Sequence, residues 1–208
     1  MYLLKTPRLI QRLLPGLTWR VPGEEKVLYL TFDDGPIPDV TPWVLEQLRS
    51  YSAKATFFCV GENAASHPEI LAQLLAEGHS IGNHTYHHLN GWATKSGVYL
   101  SDVARCAALV PSPLFRPPYG RLSPRQLSAL HPHYRIVMWD VLSADFDPAV
   151  SPQQCLSNVL NHAGPGSIIV FHDSLKALSR LRYALPAVLD RYSQDGFSFE
   201  ALPGGRSF

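Results

Sequence analysis

The chain reads as an α/β protein built on a parallel sheet covered by helices. Strand-like apolar runs and helical patterns alternate about seven times along 208 residues. No linker, low-complexity tract or internal repeat interrupts them, and polar residues recur just past the strand ends. Such alternation leaves two architectures open, a doubly wound sheet or a barrel. A chain of this length fits one domain that can bury a sizeable core without disulfides.

Strands are expected at 27–32, 55–60, 79–83, 114–115, 134–139, 167–171 and 197–201. Thr41-Pro42, His67-Pro68, Ser123-Pro124 and Ser151-Pro152 each place proline just inside a helix. Thr41, Ser123 and Ser151 are good N-cap residues for three of these. Gly78 and Gly196 mark C-terminal stops for helices over 68–77 and 186–195.

Residues 1–25 are expected to form an N-terminal extension packing on, or leading into, a single domain over 26–208. Within residues 1–14, Lys5, Arg8 and Arg12 interrupt Leu3, Leu4, Ile10, Leu13 and Leu14, so no continuous apolar region of a signal peptide is present. A helix packed on the domain is expected there, with a surface-seeking amphipathic helix and peripheral membrane contact by residues 1–14 as the alternative. No stretch approaches the roughly twenty apolar residues that span a bilayer.

Eighteen basic against seventeen acidic residues leave no net field to attract nucleic acid. Cys59, Cys106 and Cys155 are odd in number and are not spaced as a metal knuckle or redox pair, so they read as small buried hydrophobes. An odd count suits a reducing compartment, and the cytoplasm is expected rather than secretion.

The chemistry begins at Thr31-Phe32-Asp33-Asp34-Gly35, where a hydrophobic strand ends in two adjacent carboxylates. Such a pair repels itself unless a cation or hydrogen-bond donors hold it. Further along, His84-Thr85-Tyr86-His87-His88 supplies imidazoles four residues apart, at 84 and 88. One carboxylate plus two histidines makes a three-ligand set with an open position, as in catalytic zinc sites, and other borderline divalent ions suit it too. Then come Phe115-Arg116-Pro117-Pro118-Tyr119-Gly120, the run from Trp139 through Asp145 to Phe146, and Val170-Phe171-His172. Asp33, Asp34, His84, Arg116, Asp145 and His172 all fall just past strand ends, the active-site face of a βα barrel. A glycosidase needs two carboxylates about 5 Å or more apart across a bond, a poor match to adjacent aspartates beside histidines.

These segments, in this order, resemble the polysaccharide deacetylases of the NodB-homology type, carbohydrate esterase family 4, over about residues 26–202. The resemblance implies a distorted (β/α) barrel of about seven parallel strands. It also implies a hydrolase that removes N-acetyl groups from N-acetylglucosamine-type sugars, as in chitooligosaccharide, peptidoglycan or a related glycan, and releases acetate. By the same resemblance Asp33 is the general base, and Asp34, His84 and His88 hold one divalent ion. Zinc is expected, with cobalt or manganese as alternatives. His87 falls on a filler position. Arg116 orients Asp33, and Tyr119, with Pro118, belongs to the oxyanion and substrate side through its backbone N–H. His172 is the general acid and Asp145 its partner, with the spare Asp140 ranked second for that role.

The fourth motif departs from the family pattern. Leu142-Ser143-Ala144-Asp145-Phe146 keeps only the second aspartate and puts phenylalanine where tryptophan is usual, which bears on the packing beside His172 and on the substrate subclass. Trp139 and Trp92 are the expected sugar-stacking surfaces. Two other enzymatic readings share this chemistry, a sugar O-acetyl esterase and a deformylase of a lipid-linked amino sugar. A non-catalytic carbohydrate-binding protein would have lost a ligand or a proton-transfer residue, and none is lost.

Overall fold

The computed structural model describes residues 2–204. Met1 and residues 205–208, the outer limits of the two expected segments, lie outside the described residues. The strands are β1 (Val27–Asp33), β2 (Ala55–Cys59), β3 (Ser80–Asn83), β4 (Leu114–Phe115), β5 (Arg135–Ile136), β6 (Val141–Leu142), β7 (Ile168–His172) and β8 (Ser198–Phe199). All pairings are parallel, in the order β5-β4-β3-β2-β1-β7-β6, with β8 added beside the start of β1. The seven-strand path curls into an open half-barrel, its edge strands β5 and β6 joined by a short link. Parallel neighbours need crossovers, and helices supply most of them. The α-helices are α1 (Arg8–Leu13), α2 (Thr41–Ser50), α3 (Gly61–Ser66), α4 (Pro68–Ala76), α5 (Ser96–Ala107), α6 (Pro124–Leu130), α7 (Pro152–Leu160) and α8 (Leu178–Gln194).

Strand periodicity sorts the side chains onto two faces. Leu28, Leu30 and Phe32 of β1, Phe57 of β2 and Ile169 and Phe171 of β7 face the helices in the main core, where Phe32 stacks between Phe57 and Phe171. The intervening Tyr29, Thr31 and Asp33 turn to the concave side, as do Phe58 and Ile168. Asp33 thus inherits the inner face from the two-residue repeat of its strand. His172 does so from Ile168 and Val170. The two lie opposite each other as Cα partners across β1 and β7.

Ser123 and Ser151 cap their helices as expected. Thr41 does not. Val40 occupies the cap position of α2 and Thr41 is its first helical residue, its hydroxyl drawn instead to the buried Asp173 carboxylate at 2.6 Å. The last helix begins at Leu178 rather than at Pro186, which sits inside it. Burial of Leu181, Ala184, Leu185, Val188 and Leu189 along one face outweighs the backbone hydrogen bond that proline cannot make. β6 has no counterpart among the expected strands, which treated 134–139 as one run.

The N-terminal segment lies along the seam between β5 and β6. Lys5 bridges Val141, and Thr18 bridges Val137. Only Arg8–Leu13 is helical (α1), with no buried residue and with Leu9 and Leu13 exposed. Cys59, Cys106 and Cys155 are free and buried. Among the described residues no helix is long and apolar enough to cross a membrane.

Candidate active site

The C-terminal ends of the strands converge on a hollow of about 290 Å³ that holds Asp33, Asp34, His84, His88 and His172. At its floor, Arg116 follows β4 and has no exposed surface. Its Nη1 donates to Asp33 Oδ1 at 2.6 Å and to Thr31 Oγ1 at 2.7 Å, while Nη2 and Nε donate to the carbonyls of Met138 (3.0 Å) and Val137 (3.3 Å). The guanidinium also lies 4.1 Å from the Phe58 ring centre. Burying this charge is tolerated because its donors meet acceptors and a carboxylate balances it. The result is an Asp33 carboxylate fixed in position with one oxygen left to work.

Asp34 turns away from the strand at φ 84°, a left-handed conformation that costs a non-glycine residue energy and clusters at functional sites. His88 (φ 54°) and Tyr119 (φ 60°) are held the same way. One ligand atom each from Asp34, His84 and His88 lies within 4.8 Å of the others. His84 Nδ1 donates to the Arg116 carbonyl at 2.8 Å, which leaves Nε2 with its lone pair facing the cluster. Burial pushes the His84 imidazole down to about 4, so it stays neutral and able to ligate. Burial alone would raise the Asp34 carboxyl, but the His88 hydrogen bond and the His172 charge hold it well below the usual carboxylate range. Two imidazoles and one carboxylate fit a borderline divalent cation. His87 points elsewhere, its Nδ1 2.5 Å from Asp102, which also accepts the Tyr86 and His87 backbone N–H groups.

Opposite the cluster, His172 Nδ1 donates to Asp145 Oδ1 at 2.7 Å, and Asp145 Oδ2 accepts the His172 backbone N–H at 2.7 Å. Burial pulls the imidazole down, but the Asp145 charge and hydrogen bond outweigh it and lift His172 to about 9. Asp140, ranked second for this role, does not take it. It is buried in the seam, where Lys5 (2.6 Å), Gln11 (3.1 Å) and Ser167 (2.6 Å) all donate to it. Its side chain turns into that seam and does not line the hollow.

The turn Pro118–Gly120 presents Tyr119, whose backbone N–H has no hydrogen-bond acceptor among the described residues and whose ring lies edge-on to His88. Pro118 is buried in that turn, and Pro117 lines the hollow in its place. Gly120, at φ 66°, is required here, since a Cβ would sit 2.7 Å from the Trp139 ring. Trp139 lines the hollow, whereas Trp92, 68% exposed, faces an adjoining one.

Three lining residues were not expected from the sequence. Lys176 reaches Asp34 Oδ2 at 3.2 Å. Arg121 and Tyr2 stand at the rim. Arg121 directly follows the third motif and could have been read from its position. No local pattern marks Lys176 or Tyr2, which arrive through the fold.

A buried arginine-held carboxylate, a three-ligand cation cluster and a carboxylate-backed imidazole around one hollow can perform metal-assisted hydrolysis. The profile of the polysaccharide deacetylase family matches residues 20–133. A peptidoglycan-N-acetylglucosamine deacetylase of Bacillus cereus is 35% identical over 193 residues, 88% of this chain and 89% of that protein. A chitooligosaccharide deacetylase of Azorhizobium caulinodans is 35% identical over 211 residues, 90% and 98% of the two chains. The crystal structure of a peptidoglycan N-acetylglucosamine deacetylase bound to 4-naphthalen-1-yl-N-oxidanyl-benzamide superposes with a TM-score of 0.87 at 31% identity, covering 95% of each chain. The chain belongs to the polysaccharide deacetylase family and is an enzyme of the deacetylase class.

Proposed function

We propose that the protein is a metal-dependent N-deacetylase of N-acetylglucosamine-type sugars, in chitooligosaccharide, peptidoglycan or a related glycan. The observation that carries this reading is the placement of Asp33 and His172 as strand neighbours beside the Asp34–His84–His88 cluster. When bound, a divalent ion such as zinc supplies Lewis-acid activation of the acetyl carbonyl and of water.

Asp33, held by Arg116, takes a proton from the water that adds to the acetyl carbon. The Tyr119 N–H stabilises the negative charge developing on the carbonyl oxygen, a donor of a kind worth typically about 3 to 4 kcal/mol. His172, charged at neutral pH through Asp145, gives its proton to the nitrogen as the C–N bond breaks. The products are acetate and a free amino sugar, and the proton taken by Asp33 replaces the one His172 gave.

Acetate release from chitooligosaccharides of graded length, with metal stripped and then zinc, cobalt or manganese restored, tests the reading. Metal-dependent release that vanishes in Asp33→Asn supports it. Release only from O-acetylated sugars, or of formate from a lipid-linked amino sugar, replaces it with the esterase or deformylase reading.

Two properties of the chain outside the site bear on where it works. Three buried free thiols support the cytoplasm as its compartment, which fractionation of the tagged protein tests. Exposed Leu9 and Leu13 beside Arg8 and Arg12 support peripheral contact of the N-terminus with an anionic membrane, tested by co-sedimentation with vesicles.

A further inference from the structure

Residues 1–23 carry Lys5, Arg8, Arg12 and Arg20 and no carboxylate, in a chain whose net charge is +1. Lys5 is paired with Asp140 at 2.6 Å. Arg8, Arg12 and Arg20 enter no ion pair among the described residues. The fold brings these arginines together. Arg8, Gln11 and Arg12 stand at i, i+3 and i+4 of α1, on one face of the helix, and with Arg20 they line a hollow of about 290 Å³. Gln11 and Arg20 also line a larger hollow of about 640 Å³, so the two meet there. Among the described residues no carboxylate lines either one, and neither shares a lining residue with the catalytic hollow. Arg20 bridges Ser167, just before β7, which sets the cleft toward the N-terminal ends of the strands.

Like charges around one hollow repel, most directly Arg8 and Arg12 at i and i+4. Arg20 adds the cost of burial. Its Nη2 donates to the Pro165 carbonyl, yet its Nε is buried with no acceptor among the described residues, an unfavourable state for a desolvated donor. Asp140 lies behind Gln11, whose Nε2 donates to it at 3.1 Å, but its charge is already balanced by Lys5. An anion at Arg20 relieves both costs. Three guanidinium forks supply more charge and more donors than one carboxylate can take up, which suits a phosphate group. The larger hollow continues over Leu17, Trp19 and Tyr134. Arg135 adds its charge to that wall, with donors engaged by Thr18 (3.2 Å) and the Pro203 carbonyl (3.1 Å). An anionic head on the arginines and a less polar body over the rings fit this shape.

We propose that this cleft binds a phosphate group carried on an organic body, with Arg20 at its floor and Arg8 and Arg12 at its rim. Two sources share that chemistry, the headgroup of an anionic lipid and a soluble organic phosphate. The site stands apart from the deacetylase reading and does not depend on it. Nor does it rest on exposed Leu9 and Leu13, which carry the membrane contact proposed above. A lipid source sets the cleft and those leucines against the same surface, whereas a soluble one uses the cleft alone.

The test uses the full chain loaded with zinc, in native form, as Arg20→Gln, and as Arg8→Gln combined with Arg12→Gln. Calorimetry follows two soluble probes, inorganic phosphate and phenyl phosphate. Co-sedimentation follows phosphatidylcholine vesicles with and without phosphatidic acid. Arg20→Gln is expected to weaken binding of the phosphate-bearing probe about tenfold, and the exposed Arg8 and Arg12 pair about three- to fivefold, both effects shrinking at high salt. A response of the soluble probes without the vesicles supports the site with a soluble source, and one that includes the vesicles supports it with the lipid headgroup. Phosphate binding that is equal in native and variant chains belongs to the zinc ion and overturns the cleft. Vesicle binding that is lost only in Leu9→Ser with Leu13→Ser overturns it as well, and leaves the membrane contact standing. A native chain that binds none of the probes also overturns it. Circular dichroism shows whether each variant is folded, and if Arg20→Gln is not, the Arg8 and Arg12 pair on its exposed helix decides alone.

Discussion

Arg116 donates to Asp33 across 2.6 Å from a guanidinium that has no exposed surface. Removing one partner of such a pair strands the other. Arg116→Leu is expected to cost about 3 to 5 kcal/mol in urea unfolding. Asp33→Asn keeps an acceptor for Nη1 but cannot take a proton. Its turnover should fall about 10²- to 10⁴-fold. Native turnover in Asp33→Asn would show that another group is the base.

His172 is lifted from an ordinary 6.5 to about 9 chiefly against the pull of burial, by Asp145. A histidine raised on folding contributes stability that is complete below about 6.5 and is lost as pH rises through about 9. As the acid, His172 should also set the alkaline limb of the kcat/KM profile. In Asp145→Asn that limb is expected to move to lower pH by about one to three units. A limb that stays in place would assign it to a different group.

Chelation should abolish turnover and zinc should restore it. Loss of His84, His88 or Asp34 by alanine substitution is expected to weaken zinc more than the roughly 10- to 100-fold typical of losing an outer partner. Lys176 acts in the other direction, because its ammonium competes for Asp34. It is more than half exposed, so Lys176→Met should tighten zinc only about two- to fivefold, measured against a chromophoric chelator.

Gly35 packs against a carboxylate that cannot retreat. A Cβ there would lie 1.9 Å from Asp173 Oδ2, and Asp173 is buried and bonded to the Gly35 N–H (3.0 Å) and Thr41 (2.6 Å). Gly35→Ala is expected to destabilise the protein by about 1 to 3 kcal/mol in thermal unfolding. It should also lower zinc affinity, since Asp34 precedes it directly. An unchanged Tm would mean that the Asp173 contact is looser than it stands.

Most of the site was legible because its residues sit at strand ends, where local pattern fixes position. The two-residue repeat of β1 and β7 decides that Asp33 and His172 face inward, and it is written in the apolar residues between them. Short elements were harder. β6 holds only Val141–Leu142, too few residues for a period to emerge. Thr41 looked like a cap because its residue type favours caps, but a buried carboxylate 132 positions away attracted its hydroxyl more strongly.

The sequence alone determined the alternating α/β order, the strand-end residues and the motif set, since these depend on neighbours a few residues apart. Only the tertiary structure decided what Asp140 does, which hollow Trp92 lines, and that Tyr2 and Lys176 belong to the site. Each of those contacts joins residues far apart in the chain. Their partners are chosen by how the sheet curls and where its seam falls, which no local spacing encodes.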